Sequence, residues 1–208
     1  MRTLVTGAAR GIGAALMAEG RARGHDIFGT TRTGDGLQLD VTDAAAQARV
    51  AAKVGLLDLL VCNAGIFIDR AMTVETLTAD ALTRTFATNV TGVFLTVQAQ
   101  LKNLRPGARV AIIGSQMGSS ARAGGNGLAY RASKAAVANL GLSLSVALRD
   151  RGIAVGVYHP GWVRTDMGGG SASVDTVTSA RGLWDRFAEL DMDRSGEFFE
   201  YDGSPLPF

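Results

Sequence analysis

Three groups of residues have the types and spacing to do chemistry. The first is Thr6-Gly7-Ala8-Ala9-Arg10-Gly11-Ile12-Gly13, which joins a β-branched run to an amphipathic stretch. Gly7 lets the chain turn out of a strand. Gly11 and Gly13 remove side chains where a diphosphate would approach and where a helix must pack on a strand. The free N–H groups and the positive dipole end of that helix then face the anion. The second group is Tyr130 and Lys134, one helical turn apart and so on one face. A tyrosine titrates near pH 10 and exchanges protons poorly at neutrality, but a nearby ammonium favours the phenolate. Lowering that value by about three units takes roughly 4 kcal/mol, more than an exposed ion pair supplies. The third group is Asp191-Met192-Asp193-Arg194-Ser195-Gly196, ending at Asp202, which partly fits a calcium loop. Its last position is Asp rather than Glu, and the Gly- and Pro-containing tail after it cannot form an exit helix. We therefore read no metal site.

The elements that must position these residues alternate. Strands are expected over 2–6, 26–30, 37–40, 56–62, 109–114, 153–158 and 197–201. Helices are expected over 11–23, 43–54, 78–104, 127–150 and 179–190, with Thr42 or Asp43 as N-cap of the second. This order predicts an α/β fold: one domain over 1–208, a doubly wound, Rossmann-like parallel sheet with helices on both faces. Only about five residues separate the second and third strands, too few for a helical crossover, so the third strand must be very short. The second strand ends in Thr30-Thr31-Arg32, with no acid before Asp35. An acid there would bind the ribose 2′-hydroxyl of NAD, whereas an arginine accommodates the 2′-phosphate of NADP. This reading favours NADP over NAD.

Composition narrows the classes. Hydrophobic residues make up 47% of the chain and charged ones 19%, which excludes a disordered chain. Lys plus Arg number 21 against 19 Asp plus Glu, with no basic run, so nucleic acid is not expected as a partner. No stretch approaches the roughly 18 apolar residues of a membrane span. The strand-like start leaves no room for a signal peptide, and the single cysteine, Cys62, suits a reducing cytoplasm.

The glycine loop and the motifs after it resemble the short-chain dehydrogenase/reductase family over the whole chain. Cys62-Asn63-Ala64-Gly65 stands where that family has Asn-Asn-Ala-Gly; Asn89 lies in Phe86-Ala87-Thr88-Asn89-Val90; Ser115 follows the fifth strand; Tyr130-Arg131-Ala132-Ser133-Lys134 matches Y-x-x-x-K; Pro160-Gly161 follows the sixth strand, with Val163 and Thr165 after it. The tail 196–203, the tract 159–167 and the tract 129–134 look like the C-factor and sniffer-type carbonyl reductases. The resemblance implies that Tyr130 gives a proton to a carbonyl oxygen and that Ser115 holds that oxygen. It implies that Lys134 binds the nicotinamide ribose, and that Asn89 anchors a water through which protons reach the lysine. Arg10 becomes a second cation for the 2′-phosphate, and Asp40 with Val41 sits beside the adenine. Gly7, Arg10, Gly11, Ile12, Gly13, Arg32, Asn63, Ala64, Gly65, Pro160, Gly161, Val163 and Thr165 complete the expected cofactor contacts.

The expected activity is NADPH-dependent reduction of a small, partly hydrophobic aldehyde or ketone, or the reverse oxidation. The alternative is an NADP(H)-binding sensor with weak turnover. Pocket walls are expected from Ile66, Phe67, Gln116, Met117, 123–128 and the segment from Trp162 to about Trp184. A lid is expected over 167–179, where Gly168-Gly169-Gly170 loses much entropy on ordering. A homodimer or tetramer is expected through the two long helices, with Ala135, Ala138, Leu142 and Val146 on the second.

Overall fold

Apolar runs long enough to be buried on both faces produce a parallel sheet, and the helices between them cover it. The computed structural model describes residues 1–34 and 36–208. Asp35, the first acid after the second strand, lies outside them. The strands are β1 (Arg2–Val5), β2 (Asp26–Thr31), β3 (Leu37–Gln38), β4 (Leu57–Cys62), β5 (Leu104–Ile113), β6 (Ala154–His159) and β7 (Phe198–Glu200), in the order β3-β2-β1-β4-β5-β6-β7. Every pairing among them is parallel. The helices are α1 (Gly11–Ala22), α2 (Ala44–Val54), α3 (Ala79–Phe86), α4 (Gly92–Gln100), α5 (Leu128–Ala147) and α6 (Thr176–Glu189).

Period-two alternation sorts the core. Leu4, Leu60, Ile112 and Val157 face α2, α4 and α5 through Val50, Val97 and Val137. Val5, Leu59, Val61 and Ile113 face α1 and α6 through Leu16, Leu183, Trp184 and Phe187. The chain adds β2 and β3 on one side of β1, then returns to add β4 onward on the other. A cleft opens at that reversal, between the ends of β1 and β4, as in other doubly wound sheets.

Several boundaries differ from the expectation. The short third strand is present, paired as Thr30↔Leu37 and Thr31↔Gln38, but is two residues rather than four. The helix expected over 78–104 is two helices joined by a π-turn, Ala87–Thr91, and it ends at Gln100. Asn103 stops it by donating to the Ala51 carbonyl at 2.8 Å and to Gln100 Oε1 at 2.7 Å. Leu104, expected to close that helix, instead pairs with Leu57 and opens β5. The sixth helix starts at Thr176 rather than 179, because the Asp175 carboxylate caps it by accepting from Thr178 N at 2.8 Å. Asp43 caps α2 in the same way. The tail strand β7 pairs with β6, and Asp191 Oδ1 accepts from the backbone of Asp193 and Arg194. No helix is long and apolar enough to cross a membrane among the described residues.

Candidate active site

The glycine loop leaves β1 at Gly7, whose φ of 67° is in the left-handed region that favours glycine. A Cβ on Gly13 would overlap the Gly7 carbonyl oxygen and press on Asn63 Nδ2, so Gly13 serves helix packing rather than ligand approach. Asn63 locks the turn from β4, donating from Nδ2 to Thr6 O at 2.9 Å and Gly7 O at 3.1 Å. Helix α1 has no side-chain cap, which leaves the donors of its first turn for an anion. That uncapped end, at a cleft of about 1230 Å3, fits a dinucleotide diphosphate.

Of the expected contacts, Gly7, Arg10, Gly11, Ile12, Gly13, Arg32, Asp40, Val41, Asn63, Ala64, Gly65, Tyr130, Lys134 and Thr165 line this cleft. Pro160, Gly161 and Val163 do not: they are buried behind it. Pro160 O accepts from Ser179 Oγ at 2.6 Å, and Val163 bridges to Val174. The three form the turn that presents Thr165 to the cleft. Arg10, expected to meet a 2′-phosphate, pairs across the cleft with Asp166 at 2.6 Å, both side chains exposed. Arg32 is exposed beside Asp40. The Asp40 carboxylate, expected on an adenine amino group, accepts from Thr42 N and Oγ1 at 2.9 and 2.7 Å, which holds its carboxyl below the usual range.

Tyr130, Ser115 and Lys134 come together at the inner end, all buried. Ser115 follows β5, accepts from Met117 N at 3.2 Å, and lies against the Tyr130 phenol. Ser119, a nearby alternative, has a buried hydroxyl with no partner among the described residues. Lys134 donates from Nζ to the Ile113 carbonyl at 2.8 Å and sits 5.7 Å from the Tyr130 ring centre. Burial pushes the phenol up to about 12, opposed by the Ser115 hydrogen bond and the charge of Arg70. Burial also brings Lys134 down to about 8. The expectation that Lys134 lowers the phenol's pKa is therefore corrected. Desolvation outweighs the ion–phenol attraction, and the opposing cation is Arg70.

Asn89 stands in the π-turn and is fully buried. Its Oδ1 accepts from Ile66 N at 2.8 Å, while Nδ2 donates to Ile66 O at 2.9 Å and to Ser133 Oγ at 3.0 Å. Ser133 Oγ in turn donates to the Tyr130 carbonyl at 2.7 Å. This chain of bonds ties the loop after β4 to the turn that carries Tyr130.

Sequence reasoning missed two residues in that loop. Asp69 is buried, and its Oδ2 accepts from Ala129 N at 2.7 Å and Tyr130 N at 3.4 Å. It caps α5, whose own N-cap, Gly127, offers no side chain. Arg70 lies over the Phe67 ring at 5.1 Å, and Phe67 stacks on Tyr130 at 4.3 Å between centres. Asp69 is some sixty positions away from α5 in sequence, so no local signal could have found the cap. Phe67, expected in the pocket wall, stacks on Tyr130, while Ile66 and Ile68 line the cleft. Trp184 does not: it is buried on the opposite face of the sheet, bonded to Leu16 O at 3.0 Å.

This fold and site define a nucleotide-dependent oxidoreductase of the doubly wound class. The chain belongs to the short-chain dehydrogenase family, whose model matches residues 2–174. It is 40% identical over 157 residues to C-signal from Myxococcus xanthus, covering 74% of this chain and 94% of that protein. Its fold matches the carbonyl reductase Sniffer of D. melanogaster with a TM-score of 0.93 at 28% identity, covering 99% of this chain and 98% of that one. NADPH-bound carbonyl reductase from chicken fatty liver gives 0.91 at 30% identity, with the same coverage. The likeness to C-factor and sniffer-type proteins read from the sequence is borne out.

Proposed function

We propose that this chain is an NADPH-dependent reductase of small, partly hydrophobic aldehydes or ketones. The observation that carries the reading is the buried Tyr130 phenol, held between Ser115 and the Phe67 ring, at the inner end of a cleft that starts on an uncapped helix. The solved relative with bound NADPH supports the choice of cofactor, as does Arg32 just past the end of β2, with no acid before Asp35 in the sequence. NADPH, when bound, supplies the hydride that reduces the carbonyl carbon. Ser115 donates a hydrogen bond to the carbonyl oxygen and fixes its position. Tyr130 transfers its phenolic proton to the same oxygen as charge develops there. Lys134, anchored on the Ile113 carbonyl, holds positive charge behind the phenol and offers donors to the ribose. Thr165 meets the cofactor from the lid side. The sensor reading is not favoured, because Tyr130 and Lys134 line the cleft, Ser115 lies against the phenol, and Asn89 is bonded through Ser133 to the turn that carries Tyr130.

NADPH consumption against a panel of aldehydes and ketones tests this. Tyr130→Phe is expected to lose about 10²–10⁴-fold in kcat while still binding NADPH, the range for a positioned proton donor. A variant as fast as the parent on a good substrate would remove Tyr130 from the reaction.

A further inference from the structure

The loop after β4 sends two adjacent side chains in opposite directions. Asp69 turns inward to the backbone of α5, and that anchor fixes the chain where Arg70 leaves it. Arg70 turns outward, with its guanidinium over Phe67, which itself stacks on Tyr130. Its Nη1 would lie 3.8 Å from a Cβ placed on Gly169, so it also reaches the glycine segment on the far rim. Four other arginines around the site are engaged. Arg122 donates to Gln116 and faces Glu200, Arg131 donates to Asn126 O, and Arg164 donates to Ala172 O. Arg10 is paired with Asp166. Arg70 has no hydrogen bond or ion pair among the described residues.

We propose that Arg70 is a carboxylate subsite, and that the preferred carbonyl substrate carries an anionic carboxylate separated from its carbonyl by an apolar spacer. The proposal rests on the reductase reading above and narrows its substrate class. A single guanidinium presents two parallel donors that match the two oxygens of a carboxylate. The Phe67 ring separates the guanidinium from the phenol, which accounts for the spacer, and the cation accounts for the end. The Arg70 charge also acts on the Tyr130 phenol.

The test uses the full chain with NADPH and two aldehydes that share one ring, 4-formylbenzoate and methyl 4-formylbenzoate. The parent is expected to have the higher kcat/KM on the acid. In Arg70→Gln the ratio of acid to ester should fall by about tenfold or more, the loss for one charge-assisted pair. An unchanged ratio, or an equal loss on both aldehydes, overturns the proposal. Calorimetric binding of terephthalate, which cannot be reduced, separates this from the activity itself. If neither aldehyde is consumed but terephthalate binds the parent about tenfold more tightly than Arg70→Gln, the subsite stands and the reductase reading falls. Equal affinity, or no binding to either protein, removes the subsite.

Discussion

Burial pushes the Tyr130 phenol up to about 12, so the ligand-free site holds it protonated, the form that gives a proton in reduction. Lys134 is shifted in the opposite sense, from 10.5 to about 8, because its ammonium has left water for one carbonyl. Between those two values the unfolded chain holds the extra proton, so the Lys134 contribution to stability rises with pH across that window. Below about pH 8 the full penalty is present. Tyr130 acts with the other sign: from 10 to about 12 the folded chain holds the extra proton, and its contribution falls as pH rises. Lys134→Met removes only the first effect. It should be more stable than the parent at pH 7, with the difference gone by pH 10.5, where urea unfolding at several pH values would follow it. A gain that does not change with pH would mean that desolvation of the ammonium is not its source. Asp69 offers a second test. Asp69→Ala strands the Ala129 N–H and should lose about 1–2 kcal/mol, whereas Asp69→Asn keeps an acceptor and most of the stability. Equal losses would show that charge, not the cap, matters there.

The elements carrying these groups were readable wherever the signal was local. The glycine loop, the β-branched runs and the i, i+4 pair on α5 each declare themselves within a few residues. The π-turn does not. Asn89 is held there by Ile66 and Ser133, 23 and 44 positions away, and a window on residues 78–104 sees only continuous helical spacing. The N-terminal end of α6 lies three residues before the expected start for a different reason: the Asp175 side chain caps it. The lid expected over 167–179 is therefore proposed only up to Asp175, ahead of the helix that begins at Thr176. Its first part is already tied: Trp162 Nε1 donates to Gly168 O at 2.9 Å and Gly168 N to Thr165 Oγ1 at 3.0 Å. A Cβ placed on Gly170 would meet nothing within 4 Å, so the open part is short. NADPH with an unreactive substrate analogue is expected to slow amide exchange at 169–173 while leaving the sheet unchanged. Unaltered exchange at saturating ligand would make the segment a connector.

The sheet order places the glycine loop, the loop after β4 and the start of α5 at one end of the molecule, which leaves the flanks of α4 and α5 free for another task. The stripe expected to join subunits, Ala135, Ala138, Leu142 and Val146, does not lie on one exposed face. Each step of four residues turns about 40° around a helix, so the stripe drifts as it runs. Ala138 is buried against the sheet, Leu142 is 39% exposed and Val146 is 66% exposed. Phe94 on α4, which covers the same face of the sheet, is 41% exposed. Large apolar side chains in that state are better explained by a second copy than by packing within the chain, because both helices have already spent their inner faces on the core. We expect sedimentation at a multiple of the 21.6 kDa chain mass at micromolar concentration. The double substitution Leu142→Glu, Val146→Glu places charge on that surface without touching the cleft, and should return the chain to its single mass with NADPH binding retained. A parent that already sediments at 21.6 kDa would show that these residues simply face water.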